Sequence, residues 1–135
     1  MTTAEKIKPG IFKANDIRGR YPSEINEKII SEIVKKLSGF SNSGKIVVAH
    51  DARLSSSGLY KVVVSQLKTQ NSKLKAIEAG LATTPMFYFL VKKLKAAGGI
   101  MITASHNPKN YNGLKIVDKN ALPISGLEVK KMFDL

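Results

Sequence analysis

The 135-residue sequence contains no cysteine, which excludes a disulfide framework and a thiolate metal site and fits a reducing, cytoplasmic setting. It has no apolar run near the roughly 20 residues that a membrane span needs, and the opening MTTAEKIKPG lacks the apolar centre of a secretory signal. No stretch repeats at a period of 20–50 residues, and no low-complexity tract occurs. Neither a Gly-x-Gly-x-x-Gly turn after a strand nor a Walker loop is present, which argues against a nucleotide-binding domain. A Gly-x-Ser-x-Gly elbow is also missing.

Negative charge is scarce. Ten Asp and Glu against 22 Lys and Arg give a net charge of +12, which favours an anionic partner: nucleic acid, an acidic membrane or a phosphorylated metabolite. Nine of the 19 lysines (Lys35, Lys36, Lys61, Lys68, Lys92, Lys93, Lys95, Lys130, Lys131) fall on the polar sides of predicted helices, where most of them read as a solvated face. No nucleic-acid motif and no interleaving of aromatic with basic residues accompanies them. A basic nucleic-acid-binding module is therefore the alternative reading, and neither nucleic acid nor membrane is the expected partner.

With 43% hydrophobic and 24% charged residues, the chain has the composition of one globular domain with one core. Its apolar periods alternate between strand and helix. Ile29, Ile30, Ile33, Val34 and Leu37 recur at helical spacing behind Asn26 as N-cap. The Gly- and Ser-rich residues 38–44 end that helix. Ile46 to Ala49 is a continuous apolar strand, followed by a helix with Leu59, Val62, Val63 and Leu67 on one face. Leu74 to Ala79 is a second strand. Thr84-Pro85 reads as an N-cap and first turn, ahead of a helix buried through Phe87, Leu90, Val91 and Leu94. Gly99 to Thr103 and Leu114 to Val117 are the third and fourth strands, the last entered through an Asn112-Gly113 turn. The predicted fold is α/β: a three-layer domain with a mixed, mainly parallel four-stranded sheet, helices on both faces and the last strand antiparallel at an edge. Ser125 and Glu128 form a capping box, and Leu127, Met132 and Leu135 begin an apolar stripe. The chain stops about three turns into that helix, so residues 1–135 are expected to be truncated within it.

Ligands sit at the carboxyl ends of the strands in such sheets. Three polar loops fall there: Asp16 to Arg20, Asp51 to Ser57 and Ala104 to Asn112. The third carries Ser105-His106-Asn107-Pro108, with one of the two histidines beside a serine. Ser, Asn and Pro are ordinary turn formers. Adjacent residues also rarely reach triad geometry, so a Ser–His protease pair is not expected. A serine that carries a phosphoryl group needs surrounding cations instead, and Arg18, Arg53, Lys109 and Lys115 lie on or near the same rim.

The run Thr103-Ala104-Ser105-His106-Asn107-Pro108, with Tyr111-Asn112-Gly113 and Lys115, resembles the active-site loop of the α-D-phosphohexomutases. Phe12 to Gly19 resembles the family's opening motif. Asp51-Ala52-Arg53 with Ser55-Ser56, and Thr83-Thr84-Pro85, resemble its two intervening motifs. The Asp16-Ile17-Arg18-Gly19 form is nearer to the phosphomannomutase/phosphoglucomutase branch than to the phosphoglucosamine mutases, which stay as an alternative.

The resemblance implies a phosphoserine domain, domain I, of an enzyme that interconverts hexose 1-phosphate and hexose 6-phosphate through a bisphosphorylated sugar. It implies Ser105 as phosphoryl carrier, His106 and Lys115 near the reacting oxygens with Lys115 moving a proton, and Arg18, Asn107 and Lys115 holding the phosphosugar. A lysine in that role needs its pKa lowered by burial or neighbouring cations. It also implies Mg²⁺ on a phosphoryl oxygen of Ser105, its carboxylate ligands outside this chain, and hexose 1,6-bisphosphate as activator. Asp51, Arg53, Ser55 and Ser56 are expected to tie a loop to a helix N-terminus, His50 to be structural, and Phe87-Tyr88-Phe89 to be mainly core. Asn15 stands where this branch usually carries a tyrosine. Later domains are the expected partners, and the chain without them is expected to be inactive and to self-associate through exposed apolar area.

Overall fold

The computed structural model describes residues 7–37, 44–70, 73–133 and 135. Five strands and four α-helices follow one another: β1 Ile17–Arg20, α1 Glu27–Leu37, β2 Gly44–His50, α2 Ser56–Gln70, β3 Leu74–Leu81, α3 Thr84–Lys93, β4 Gly98–Ile102, β5 Tyr111–Asp118 and α4 Gly126–Lys130. Short 3-10 turns lie at Pro9–Ile11 and Lys131–Phe133. The sheet order is β1-β5-β4-β2-β3.

Every residue of β4 is buried, as expected of an apolar strand covered on both faces. On one face Ile29, Ile30, Ile33 and Val34 of α1 and Leu59, Val63 and Leu67 of α2 meet Val48, Ile100, Ile102, Leu114 and Ile116. On the other, Phe87 and Val91 of α3 pack on Val47, Ala49, Met101 and Val117. The predicted stripes are those that bury, except that Val62, Leu90 and Leu94 are only partly covered. Phe87 is core, whereas its neighbour Phe89 is 55% exposed.

The three-layer α/β expectation holds, with two corrections to the sheet. It has five strands, because Ile17–Arg20, expected as a rim loop, pairs antiparallel with β5. Four residues with one glycine and two arginines carry no periodic signal, so only the tertiary pairing reveals the strand. Consequently β5, antiparallel to β4 as foreseen, is flanked on both sides rather than at an edge, and parallel and antiparallel pairs are equal in number.

Asn112 and Gly113 are not a turn but lie inside β5. A Cβ at position 113 would collide with the Ile17 carbonyl oxygen and come within 2.9 Å of the Arg18 Cα. The glycine there lets β1 approach.

At the helix ends, Asn26 Oδ1 accepts from the Ile29 amide at 3.0 Å, as predicted. The cap of α3 is Thr83, one residue earlier than expected, its hydroxyl accepting from Met86. Pro85 therefore follows one helical residue further in. Ser125 caps α4 through the Leu127 amide. The stripe expected beyond it does not form: α4 is five residues long, Val129 is its buried apolar side chain, and Leu127 and Leu135 are exposed. Residues 38–43 of the expected helix-ending stretch lie outside the described residues.

Candidate phosphoryl-transfer site

β4 delivers the chain to the rim at Thr103 and Ala104, both buried, and Ser105 emerges exposed. Its φ of +56° lies in the left-handed region, which costs a non-glycine residue about 1–2 kcal/mol. Hydrogen bonds on both sides hold it there. The Ser105 amide donates to Thr103 Oγ1 at 3.0 Å, and the Ser105 carbonyl accepts from Arg53 Nη2 at 2.9 Å.

Arg53 does far more than lend a charge. Nη2 also donates to the Asn107 carbonyl at 2.9 Å, and Nη1 donates to the carbonyls of Pro108 at 2.7 Å and Tyr111 at 3.2 Å. Nε donates to Asp51 Oδ2 at 3.2 Å. All five N–H donors of a guanidinium are thereby in use. Arg53 was expected both among the cations around the serine and as part of a structural tie; its bonds make it the clamp of the loop that carries the serine.

Asp51 anchors the clamp. Oδ1 accepts from Ser56 Oγ at 2.5 Å and from the Arg53 amide at 3.1 Å, and Oδ2 accepts from Thr103 Oγ1 at 2.7 Å. Burial pushes the Asp51 carboxyl up, but bonds from Ser56, Thr103 and the Arg53 amide, with the Arg53 charge, outweigh it and hold its pKa below the usual value. Buried Asn112 adds a second tie, donating from Nδ2 to Ser55 Oγ at 2.8 Å and Ser56 Oγ at 2.9 Å. The expected link between the 51–56 loop and the start of α2 is thus present, and it extends to β4 and β5. His50 bonds the Asp51 carbonyl through Nδ1 at 2.8 Å and packs on Tyr60, a structural role as expected.

The remaining candidates are placed by register. Arg18 pairs with Gly113 and Lys115 with Met101, while the Thr103 amide donates to the Gly113 carbonyl. Paired positions in antiparallel ladders share a face, so Arg18, Lys115 and Thr103 stand on the α3 side of the sheet. Arg18 and Thr103 are two strand spacings apart, about 10 Å between backbones. Arg18 Nε binds the Asp16 carboxylate at 2.8 Å, and its side chain is 33% exposed. Its two Nη groups make no hydrogen bond among the described residues. Lys115 is half-buried and His106 exposed. Asn107 donates from Nδ2 to the Ala104 carbonyl at 2.9 Å, which leaves Oδ1 as its atom for a ligand. Lys109 is exposed on the same loop. An open cleft of about 450 Å³, lined by Asp51, Thr83, Thr84, Met101 and Thr103 among others, lies beside the loop.

The family model of phosphoglucomutase/phosphomannomutase, alpha/beta/alpha domain I, matches residues 9–134. The chain belongs to that family. A Xanthomonas campestris protein described as phosphohexose mutases is 45% identical over 84% of this chain and 25% of its own length. A Klebsiella pneumoniae phosphomannomutase is 44% identical over 85% of this chain and 72% of its own. A crystal structure of a phosphoglucomutase/phosphomannomutase family protein from Burkholderia thailandensis superposes with a TM-score of 0.81 at 28% identity, covering 95% of this chain and 30% of that one. The chain thus spans about a quarter of the Xanthomonas relative and under a third of the solved structure.

Within this phosphohexomutase domain, sequence reasoning missed two placements around the serine loop. Thr103 Oγ1 bridges Ser105 and Asp51, and no spacing rule announces it. The Arg53 clamp joins residues 52 to 58 positions apart. Only the adjacency of the β2 and β4 loops could have suggested it.

Proposed function

We propose that this chain is the phosphoserine domain of a phosphohexomutase that interconverts hexose 1-phosphate and hexose 6-phosphate, with Ser105 as the phosphoryl carrier. The observation that carries this reading is the loop itself. An exposed serine is held in a left-handed conformation by a buried-rim clamp, two residues beyond Thr103, which shares a face with Arg18 and Lys115.

In the proposed cycle, the P–O bond of phosphorylated Ser105 breaks as a sugar hydroxyl forms a new P–O bond, giving the 1,6-bisphosphate. The hydroxyl proton passes to a base, for which Lys115 is the candidate, and Ser105 Oγ leaves and regains a proton in its free state. After the sugar turns round, Ser105 Oγ takes the other phosphoryl group and the monophosphate departs. Arg18, through its Nη groups, and Asn107, through Oδ1, hold phosphate and sugar oxygens. His106 lies beside the reacting oxygen.

The residues present do not build a site for the expected magnesium ion. No three His, Asp or Glu side chains converge among the described residues, and both Asp51 oxygens are taken by Ser56, Thr103 and Arg53. Carboxylate ligands belong, in this reading, to later domains of the same enzyme. Those domains also supply sugar recognition, so the chain by itself interconverts no substrate. Exposed Leu54, Leu81, Met86 and Phe89 support contact with them, or self-association in their absence. No helix among the described residues is long and apolar enough to cross a membrane, and cytoplasmic residence follows from the substrate class proposed.

The test is a graft of this chain onto the remaining domains of the Escherichia coli phosphomannomutase, which is 44% identical over 115 residues. With labelled hexose 1,6-bisphosphate, label should appear on the Ser105 peptide, and Ser105→Ala should abolish both label and sugar-phosphate exchange. Label on other residues, or an unchanged rate in Ser105→Ala, would overturn the reading.

A further inference from the structure

We infer that Arg53 is the positioning residue of the phosphoryl-transfer step: its guanidinium sets the conformation of the serine loop, and through it the aim of Ser105 Oγ. The inference rests on the reading of Ser105 as carrier. It assigns a role to a charged side chain that touches no reacting atom.

Geometry makes the case. Four carbonyls, of Ser105, Asn107, Pro108 and Tyr111, converge on one planar fork within 2.7–3.2 Å. Seven residues of loop are thereby gathered around a single group whose fifth donor is fixed by Asp51. Carbonyls pointed at one place repel one another unless a cation with several N–H donors lies between them, so the guanidinium is what lets the loop close in this shape. Without it the Ser105 carbonyl loses its partner, and the left-handed backbone at Ser105 is left to the Thr103 hydroxyl and to the bonds from the Asn107 amide and side chain to the Ala104 carbonyl. The serine would then rotate its Oγ away from the rim position it now holds.

The arrangement also explains why an arginine is needed. A lysine is a point charge with three donors on one nitrogen, so it cannot span four acceptors and an aspartate together. Lys109, on the same loop, is exposed and makes no such set of contacts. The clamp is 12% exposed at its side chain, so solvent does not readily substitute for it. Arg53 therefore separates two duties that a basic rim would otherwise mix: Arg18 keeps its Nη groups for a ligand, while Arg53 has none left.

Two variants test this. In Arg53→Lys the 135-residue chain should melt cooperatively with its circular dichroism unchanged, yet the amides of Ser105, Asn107 and Tyr111 should exchange hydrogen at least tenfold faster. Protection in β4 and α2 should be kept. Grafted onto the E. coli domains, the same variant should lower kcat about a hundredfold, the scale of a 1 Å misplacement, with KM for the hexose phosphate nearly unchanged. If Arg53→Lys does not fold, Thr103→Val removes the second anchor of Ser105 and should show the same signature to a smaller degree. Unaltered exchange in the loop, or a rise in KM with kcat retained, overturns the inference. An unaltered graft that takes no label on Ser105 defeats the underlying reading instead, and the exchange data still report on the clamp.

Discussion

On one face of the sheet α1 and α2 seal a continuous core, with Ile30, Ile33, Leu59 and Val63 fully buried, while on the other α3 lies over β2 and β4 and leaves Arg18 and Lys115 partly open. Both faces belong to the same strands and obey the same alternation, yet they carry different loads. The sealed face supplies most of the apolar burial and hence most of the stability. The open face carries Arg18, Lys115 and Thr103, and the loop with the exposed serine begins just beyond Thr103. Sealed core and open polar face are separated by the pleat of the sheet, one residue apart along β5, where buried Leu114 precedes half-buried Lys115.

Substitutions sharpen or break that division. On the sealed face, Ile33→Ala should cost about 2–5 kcal/mol, the range for emptying a fully buried aliphatic site, read from denaturant unfolding; a loss below 1 kcal/mol would show that this core is loosely packed. A smaller effect is expected at the junction of the two faces. The Asp51 carboxyl is held below its ordinary value, so it contributes stability that is complete above its unfolded pKa of about 3.9 and is lost as pH falls through the depressed one. The Tm gap between the unaltered chain and Asp51→Asn should therefore narrow as pH drops from 7 to below 4, and a gap that widens would contradict the bonding described. On the open face, Lys115→Met should move stability by no more than about 0.5 kcal/mol while the grafted enzyme loses sugar-phosphate exchange. A large stability loss with exchange intact would make Lys115 a structural residue.

Much of this was readable in advance, for identifiable reasons. The α1 stripe is long, strictly periodic and preceded by an N-cap, so local physics and tertiary packing agree on it. The rim position of the loop with Ser105 was legible because that loop follows a continuous apolar strand. Ile17–Arg20 was not legible as a strand, since its pairing depends on Gly113, 95 positions after its partner Arg18, rather than on its own composition. Asn112-Gly113 misled in the opposite direction: its turn chemistry was real, but Ser55 and Ser56 satisfy the asparagine inside the sheet. Leu127 and Leu135 looked like a buried stripe because spacing alone does not say how far a helix runs.

Local spacing and chain chemistry determined the order of elements, the faces that bury and the loop that carries the serine, because these depend on neighbours within a few residues. Tertiary structure alone decided the fifth strand, the clamp of Arg53 on four carbonyls and the left-handed set of Ser105. Those depend on groups brought together across more than 50 residues, and the cost of gathering them is met only when the whole sheet has closed.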